Sequence, residues 1–287
     1  MSCGTQRGYA DLMPDLERSA TAGPRARFGA LLRQQRGLLG LSQERLAERA
    51  EISTRHLSFL ETGKASPSRT MVLVLGSALD LSLRDRNALL EAASFASAYR
   101  EEPLEGPDAA SLRRAVDLVL ERMEPHGAVA LDRGWEVLRM NRGAAALLTR
   151  FLSHEVPADV ARNAVLVTLH PAGLRRHIVN FEEVASVILD RAKRELARAP
   201  ADKTLAVLAA KVRAIPDLPS SARIAQLAGS GPFITVHLRD GDTDVRLFTT
   251  IATIGTPIDA TAEELRIETY FPADDATARW IAALPRA

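Results

Sequence analysis

Cysteine, charge imbalance and long apolar runs are all scarce in this chain. Its single cysteine, Cys3, cannot form an intrachain disulfide or a cysteine-based metal cluster, which sets thiol redox chemistry aside. No apolar run approaches the roughly 18 residues that span a bilayer. The opening stretch MSCGTQRGYADLMPDLERSA has no apolar core of the kind a secretory leader needs, so a cytoplasmic protein is expected. The formal net charge is only +1 with histidines neutral, and such a balance by itself does not speak for a polyanionic partner. Glycine-rich phosphate loops do not occur, and Gly229-Ser230-Gly231 has not the flanking spacing of a nucleophile elbow. No catalytic residue, and hence no enzyme, is expected.

What remains is an ordinary globular composition, 46% hydrophobic and 25% charged over 287 residues, long enough for two domains. Residues 1–24 read as a flexible segment. From Phe28 to Ser94 apolar residues recur at three- and four-residue spacing in short blocks separated by Gly, Ser or Pro. Phe28, Leu31 and Leu32 share one face of a first helix that ends near Gly37 or Gly40. Ser42 caps a second, SQERLAERA, with Glu44 at the positive end of its dipole. After the two-residue connection Glu51-Ile52, Ser53 caps a third helix carrying Leu57 and Leu60. Ser68 caps a fourth, and LRDRNALLEAAS makes a fifth. Five short helices with tight connections form a compact all-α bundle over residues 25–98.

The third helix has too narrow an apolar stripe to be a core helix. Thr54, Arg55, Ser58 and Phe59 point away from its leucines. Donors, a guanidinium fork and an apolar surface are the groups that read base edges in a major groove, and two short helices joined by a tight turn are how a helix-turn-helix reads in sequence. Between Arg25 and Lys64 there are eight basic residues against four acidic ones. That local excess suits phosphate contact, and a solvated helical surface would give the same count.

The stretch LSQERLAERAEISTRHLSFLETGKASPS resembles the helix-turn-helix of the Xre (Cro/C1-type, lambda-repressor-like) family. Ser42-Gln43, Leu46-Ala47, Leu60-Glu61-Thr62-Gly63 and Pro67-Ser68 carry the likeness, which covers residues 28–93. It implies that Gln43 anchors on phosphate and that Thr54, Arg55 and Ser58 read bases, with Ser53 and Lys64 in the same DNA-facing set. Glu61 is then structural, and Gly63 relieves a left-handed turn after the helix. Phe59 contacts a thymine methyl, packs at a dimer interface or covers the core edge. The implied partner is a double-stranded operator, bound by a homodimer.

Residues 99–111 (YREEPLEGPDAAS) concentrate Pro, Gly and acidic residues and read as a linker. A helix from Leu112 then opens the second domain, 112–287. GAVALDRGWEVLRMNRGAAALLTRFL reads as strand, turn, strand and small-residue helix, an order that resembles the start of a PAS domain. LVTLHPAGLRRHIVNFEEVASVILDRAKREL reads as a strand, a helix turn from Pro171 and a long helix. FITVHLRDGDTDVRLFTTIATIGTP holds two strands around Asp240-Gly241, and LRIETYFP a third. The expected fold is α+β, an antiparallel sheet with helices on one face.

Taken with the first domain, Leu169-His170-Pro171-Ala172-Gly173-Leu174-Arg175 and the run from Leu265 to Asp274 resemble the MmyB-like transcriptional regulators. That likeness implies a PAS-like ligand-binding domain taking a small molecule, a fatty acid or other apolar acid. The candidate apolar lining is Leu131, Trp135, Phe151, Phe181, Phe233 and Phe248, and the candidate polar anchors are Asn141, His170, Arg175 and His237. Core packing for the first set, and capping or surface roles for His170 and Arg175, are the competing readings. Arg175 is retained because a guanidinium facing an apolar pocket would hold a carboxylate bidentately. A domain that only dimerises or binds a protein, as in an antitoxin-like repressor, is the alternative to a sensor. No cofactor is implied. No metal site is expected either: His170 and His177 find no further ligands, and Asp240, Asp242 and Asp244 begin a calcium-loop spacing that Val245 and Ile251 break.

Overall fold

The computed structural model describes residues 23–153, 155–199, 202–219 and 233–284. Cys3, nearly all of the segment expected to be flexible and the Gly229-Ser230-Gly231 stretch lie outside these. The chain divides into two compact units, one running to Glu101 and including Ile258–Ala260, the other taking Glu102–Pro257 and the residues from Thr261 onward.

The first unit is helical: α1 (Pro24–Leu38), α2 (Gln43–Arg49), α3 (Thr54–Glu61), α4 (Arg69–Ala78) and α5 (Leu83–Ala92). Pro24 begins α1 where its missing N–H costs nothing. The other four starts repeat one device, in which a serine hydroxyl accepts from the backbone N–H three residues on: Ser42 from Arg45, Ser53 from His56, Ser68 from Met71 and Ser82 from Asp85. Each cap stabilises its helix by about 1 kcal/mol, which matters for helices too short to persist alone. Phe28, Leu32, Leu46, Leu57, Leu60, Leu75, Leu89 and Leu90 form one core. At Gly29 α1 passes so close to α3 that a Cβ would sit 2.6 Å from the carbonyl oxygens of both Leu60 and Glu61.

The second unit contains α6 (Ala110–Arg122), β1 (Gly127–Leu131), β2 (Val137–Met140), α7 (Arg142–Phe151), α8 (Ala158–Ala161), α9 (Ala164–Leu169), α10 (Phe181–Arg198), α11 (Lys203–Arg213), β3 (Val236–Asp240), β4 (Thr243–Thr253), β5 (Arg266–Pro272) and α12 (Asp275–Ala282). The strands make one antiparallel sheet in the order β2-β1-β5-β4-β3. Within the stretch expected as a linker, Leu104 is buried against Val116, Leu120 and the sheet residues Ala128 and Ile267.

Two sequence expectations are corrected. The run Leu166–Leu169, expected as a strand, is part of helix α9. A short apolar run has no periodicity to separate the two states, and the Asn163 side chain decides it by accepting from the Val165 and Leu166 amides. Helices also cover both faces of the sheet instead of one. Ala128 and Ala130 of β1 pack with α6, while Val129 and Leu131 alternate to the other side, among residues of α9 and α10.

Candidate DNA-reading helix and candidate ligand cavity

Helix α3 turns Leu57, Leu60 and Glu61 inward, leaving Thr54, Arg55 and Phe59 exposed and Ser58 half-buried. The chain enters α3 through Glu51 in the left-handed region at φ 53° and leaves it through Gly63 at φ 71°, the turn for which glycine was expected there. Glu61 is the structural pin. With its side chain fully covered, its carboxylate receives Arg36 Nε at 2.6 Å, Arg36 Nη2 at 3.0 Å and Gln43 Nε2 at 2.7 Å. Burial alone would push this carboxyl up, but the hydrogen bonds from Arg36 and Gln43 and the charges of Arg36 and Arg33 outweigh it and hold it below the usual range. Arg36 also donates to the Leu41 carbonyl at 2.6 Å, so one ion pair ties together α1, the α1–α2 connection, α2 and α3.

The six DNA-facing candidates thus fall into two groups. Ser53 and Gln43 have structural partners, Ser53 as the α3 cap and Gln43 on Glu61; the second amide N–H of Gln43 and its carbonyl remain for an outside partner. Thr54, Arg55, Ser58 and Lys64 stand on or beside the outer face. Phe59, 36% exposed, lies between two cations, with the Arg55 guanidinium 5.4 Å and the Lys64 ammonium 5.9 Å from its ring centroid. The ring face thus attracts both charged groups and gathers them at the outer side of α3.

In the second unit a cavity of about 170 Å³ lies over one face of the sheet. Every strand contributes to its floor: Val137, Val129, Glu268 with Tyr270, Leu247 with Thr249, and Val236 with Leu238. Four strand intervals of about 4.8 Å give it a span of roughly 19 Å. Leu147, Ala164, Val165, Val184 and Ile188 are among the residues that α7, α9 and α10 bring to its walls. Its polar groups are few: Thr168, Arg191, Thr249, Glu268 and Tyr270. The Tyr270 hydroxyl donates to Glu268 Oε2 at 3.4 Å. Burial pushes the Glu268 carboxyl up, against the charge of Arg191 and the hydrogen bonds of Thr249 and Tyr270. Burial, with Glu268 beside it, also pushes Tyr270 well up.

Of the ten ligand-binding candidates only Trp135 is in the lining. It stands at φ 65°, donates from Nε1 to Glu195 at 2.9 Å and has the guanidinium groups of Arg266 and Arg191 at 4.6 and 5.3 Å from its ring. The other nine are occupied elsewhere. Asn141 caps α7 by accepting from the Ala144 amide, accepts also from Ala128 and donates to the Leu120 and His126 carbonyls, which exhausts its capacity. His170 follows α9 and accepts from the Ala172 amide. Arg175 donates to the Pro216 and Asp217 carbonyls and lies 4.4 Å over the Phe181 ring. Phe181 is half-buried in the packing around α10. Phe248 and Phe233 belong to the far side of the sheet, because Leu247 and Thr249 already face the cavity and strand side chains alternate. There Phe248 stacks between Phe233 and Phe271, and Phe233 is 59% exposed. Leu131 and Phe151 are core, and His237 pairs with Asp244 at 2.8 Å.

Arg191, Thr249, Glu268 and Tyr270 were missed in sequence. The signal was present for three of them: Arg191 continues the stripe Val184, Val187, Ile188 at helical spacing, and Glu268 and Tyr270 share one side of a strand whose other side buries Ile267 and Thr269. Among the described residues no group of three or more His, Cys, Asp or Glu could hold a metal ion, and no helix is long and apolar enough to cross a membrane.

Residues 112–284 match the family model of the MmyB-like transcription regulator ligand binding domain, and residues 27–89 match that of a helix-turn-helix domain. No curated protein matches the chain. Among solved structures, it is similar to the restriction-modification controller protein C.AhdI from Aeromonas hydrophila, at 34% identity over 21% of this chain and 92% of that one, with a TM-score of 0.21. It is also similar to the clp gene regulator ClgR from Corynebacterium glutamicum in two structures. These are 30% and 27% identical, cover 25% and 36% of this chain and 91% and 97% of the other, and each has a TM-score of 0.23.

Proposed function

Since the chain belongs to the MmyB-like transcription regulators, we propose that it binds a specific DNA operator through α3 and that its second unit senses a small apolar molecule in the sheet cavity. The observation that carries the proposal is the division of labour on α3, whose inner face is fixed by Leu57, Leu60 and the Glu61 ion pair while Thr54, Arg55 and Ser58 lie on the outer side. Early residues of such a helix meet base edges, and Arg55 is the residue suited to a guanine. Gln43, at the start of α2, would fix register on phosphate without reading sequence. A homodimer on a symmetric operator, with half-sites about one helical turn apart, goes with this reading.

The cavity supports the sensing half. Its walls are almost wholly aliphatic, with a few polar groups converging on one region, the usual make-up of a small-molecule site. The lining suits the hydrocarbon part of a fatty acid or other apolar acid; the acid group would then meet Arg191, not Arg175 as expected from sequence. Solvent extraction of the purified protein followed by mass spectrometry tests this. A stoichiometric apolar molecule is the expected result. An empty protein that binds no apolar probe would turn the second unit into a dimerisation or partner-binding module and leave the DNA reading standing.

A further inference from the structure

The cavity of the sensing domain carries one acid and one base, and their placement bears on what can enter. Glu268 and Tyr270 sit on β5, the middle strand of the five, with the apolar lining of β1 and β2 on one side and of β3 and β4 on the other. The neighbours of Glu268 across the sheet, Val129 on β1 and Ile251 on β4, are uncharged. From β5 itself come the Tyr270 hydroxyl at 3.4 Å and, two residues the other way, Arg266. From α10 comes Arg191, whose charge attracts the Glu268 carboxyl; Glu195, one turn on, is committed to Arg266 at 3.1 Å. From α9 comes only the uncharged Thr168. An ionised Glu268 therefore balances Arg191 and makes the polar part of the cavity neutral overall. A ligand carboxylate drawn to Arg191 would bring a second negative charge beside Glu268, and two carboxylates sharing one buried site do not both stay ionised.

We propose that Glu268 is the specificity-determining residue of the cavity: an apolar molecule with an uncharged hydroxyl binds with no change of protonation, whereas a carboxylate of the same length enters only together with a proton taken up by Glu268. The idea rests on the reading of the cavity as a ligand site. Burial already favours the protonated form of Glu268, and once protonated it turns from a repelling acceptor into a donor facing the ligand carboxylate, beside Arg191.

Calorimetric titration of the purified full-length protein with decan-1-ol and with decanoate at pH 6.5, 7.5 and 8.5 tests it. Decanoate keeps its own charge across that range, since an aqueous carboxyl titrates at about 4.3. Its dissociation constant should rise with pH, towards tenfold per unit, while that for decanol stays within about threefold. Glu268→Gln, which keeps shape and hydrogen bonding, should flatten the decanoate profile and tighten decanoate binding about tenfold or more at pH 8.5. Should that variant not fold, titrating the wild type in buffers of different ionisation enthalpy counts the same proton directly: one taken up with decanoate, none with decanol. Parallel pH profiles for the two probes, or no proton uptake with decanoate, would overturn the proposal while the ligand reading stands. If neither probe binds at any pH, both fall.

Discussion

The two units of this chain use polar side chains in opposite ways. On α3 the polar set is turned out to solvent, and the one buried charge, Glu61, is fully paired. In the sheet domain the polar set is turned in to a cavity, and its half-buried acid, Glu268, has hydroxyl partners and only the longer-range attraction of Arg191. A paired buried charge builds rigidity, which a DNA-reading helix needs to hold its side chains in register. An incompletely compensated one leaves a place whose electrostatics a ligand can complete.

Breaking the pin is expected to have the largest effect. Glu61→Ala strands Arg36 and should destabilise the helical unit by roughly 3 kcal/mol, seen as a lower denaturation midpoint that probes confined to that unit detect and probes in the sheet domain do not. An unchanged midpoint would mean that the ion pair is ornamental. Next is Arg55→Ala, which should cost roughly 1 to 3 kcal/mol at the selected operator and relax preference at one base pair, with thermal stability unchanged. Binding-site selection on random duplexes would refute the assignment if the recovered motif kept its full information at every position.

Acid should separate the two units in a smaller way. Because the folded carboxyl of Glu61 lies below the ordinary range, it adds stability above the unfolded value, and that stability is lost as pH falls through the folded one. Burial raises Glu268, so its contribution runs the other way and stability falls as pH rises between the unfolded and folded values. Urea titrations from pH 3 to 7 should show Glu61→Gln losing the acid-dependent part at the low end of that range. Relieving the left-handed Glu51 with glycine should stabilise the helical unit by about 0.5 to 1 kcal/mol without altering the operator motif. The smallest effect belongs to Arg175→Ala, which should leave apolar-probe affinity within twofold, because its guanidinium is engaged by the Pro216 and Asp217 carbonyls. A tenfold loss would return Arg175 to the ligand site.

The units also differ in how much of them can be read before folding. In the helical unit each decisive signal is local: Ser42, Ser53 and Ser68 cap within three residues, and the stripe of Leu57 and Leu60 marks the inner side of α3. Glu61 as a structural residue was legible, but its partners were not, since Arg36 is 25 positions away. In the sheet domain the strands were legible by alternation, yet alternation does not say which side encloses a void. Phe248 and Trp135 looked equivalent in sequence and ended on opposite sides of one sheet. Polar residues at helix ends, such as Asn141 before α7 and His170 after α9, drew attention as anchors when their chemistry was spent on backbone groups. Arg191, inside an apolar helical stripe, was the better clue.

The most direct test of the whole account couples the two halves. Fluorescence anisotropy with a labelled duplex taken from the binding-site selection would be recorded with and without saturating decan-1-ol, for the wild type and for Ala192→Trp, which fills the cavity from α10. A ligand-induced shift of fivefold or more in operator affinity, of either sign, that disappears in the filled variant is the predicted result. Equal operator affinity with and without the ligand, in a protein shown by calorimetry to have bound it, would contradict the claim that this cavity controls DNA binding.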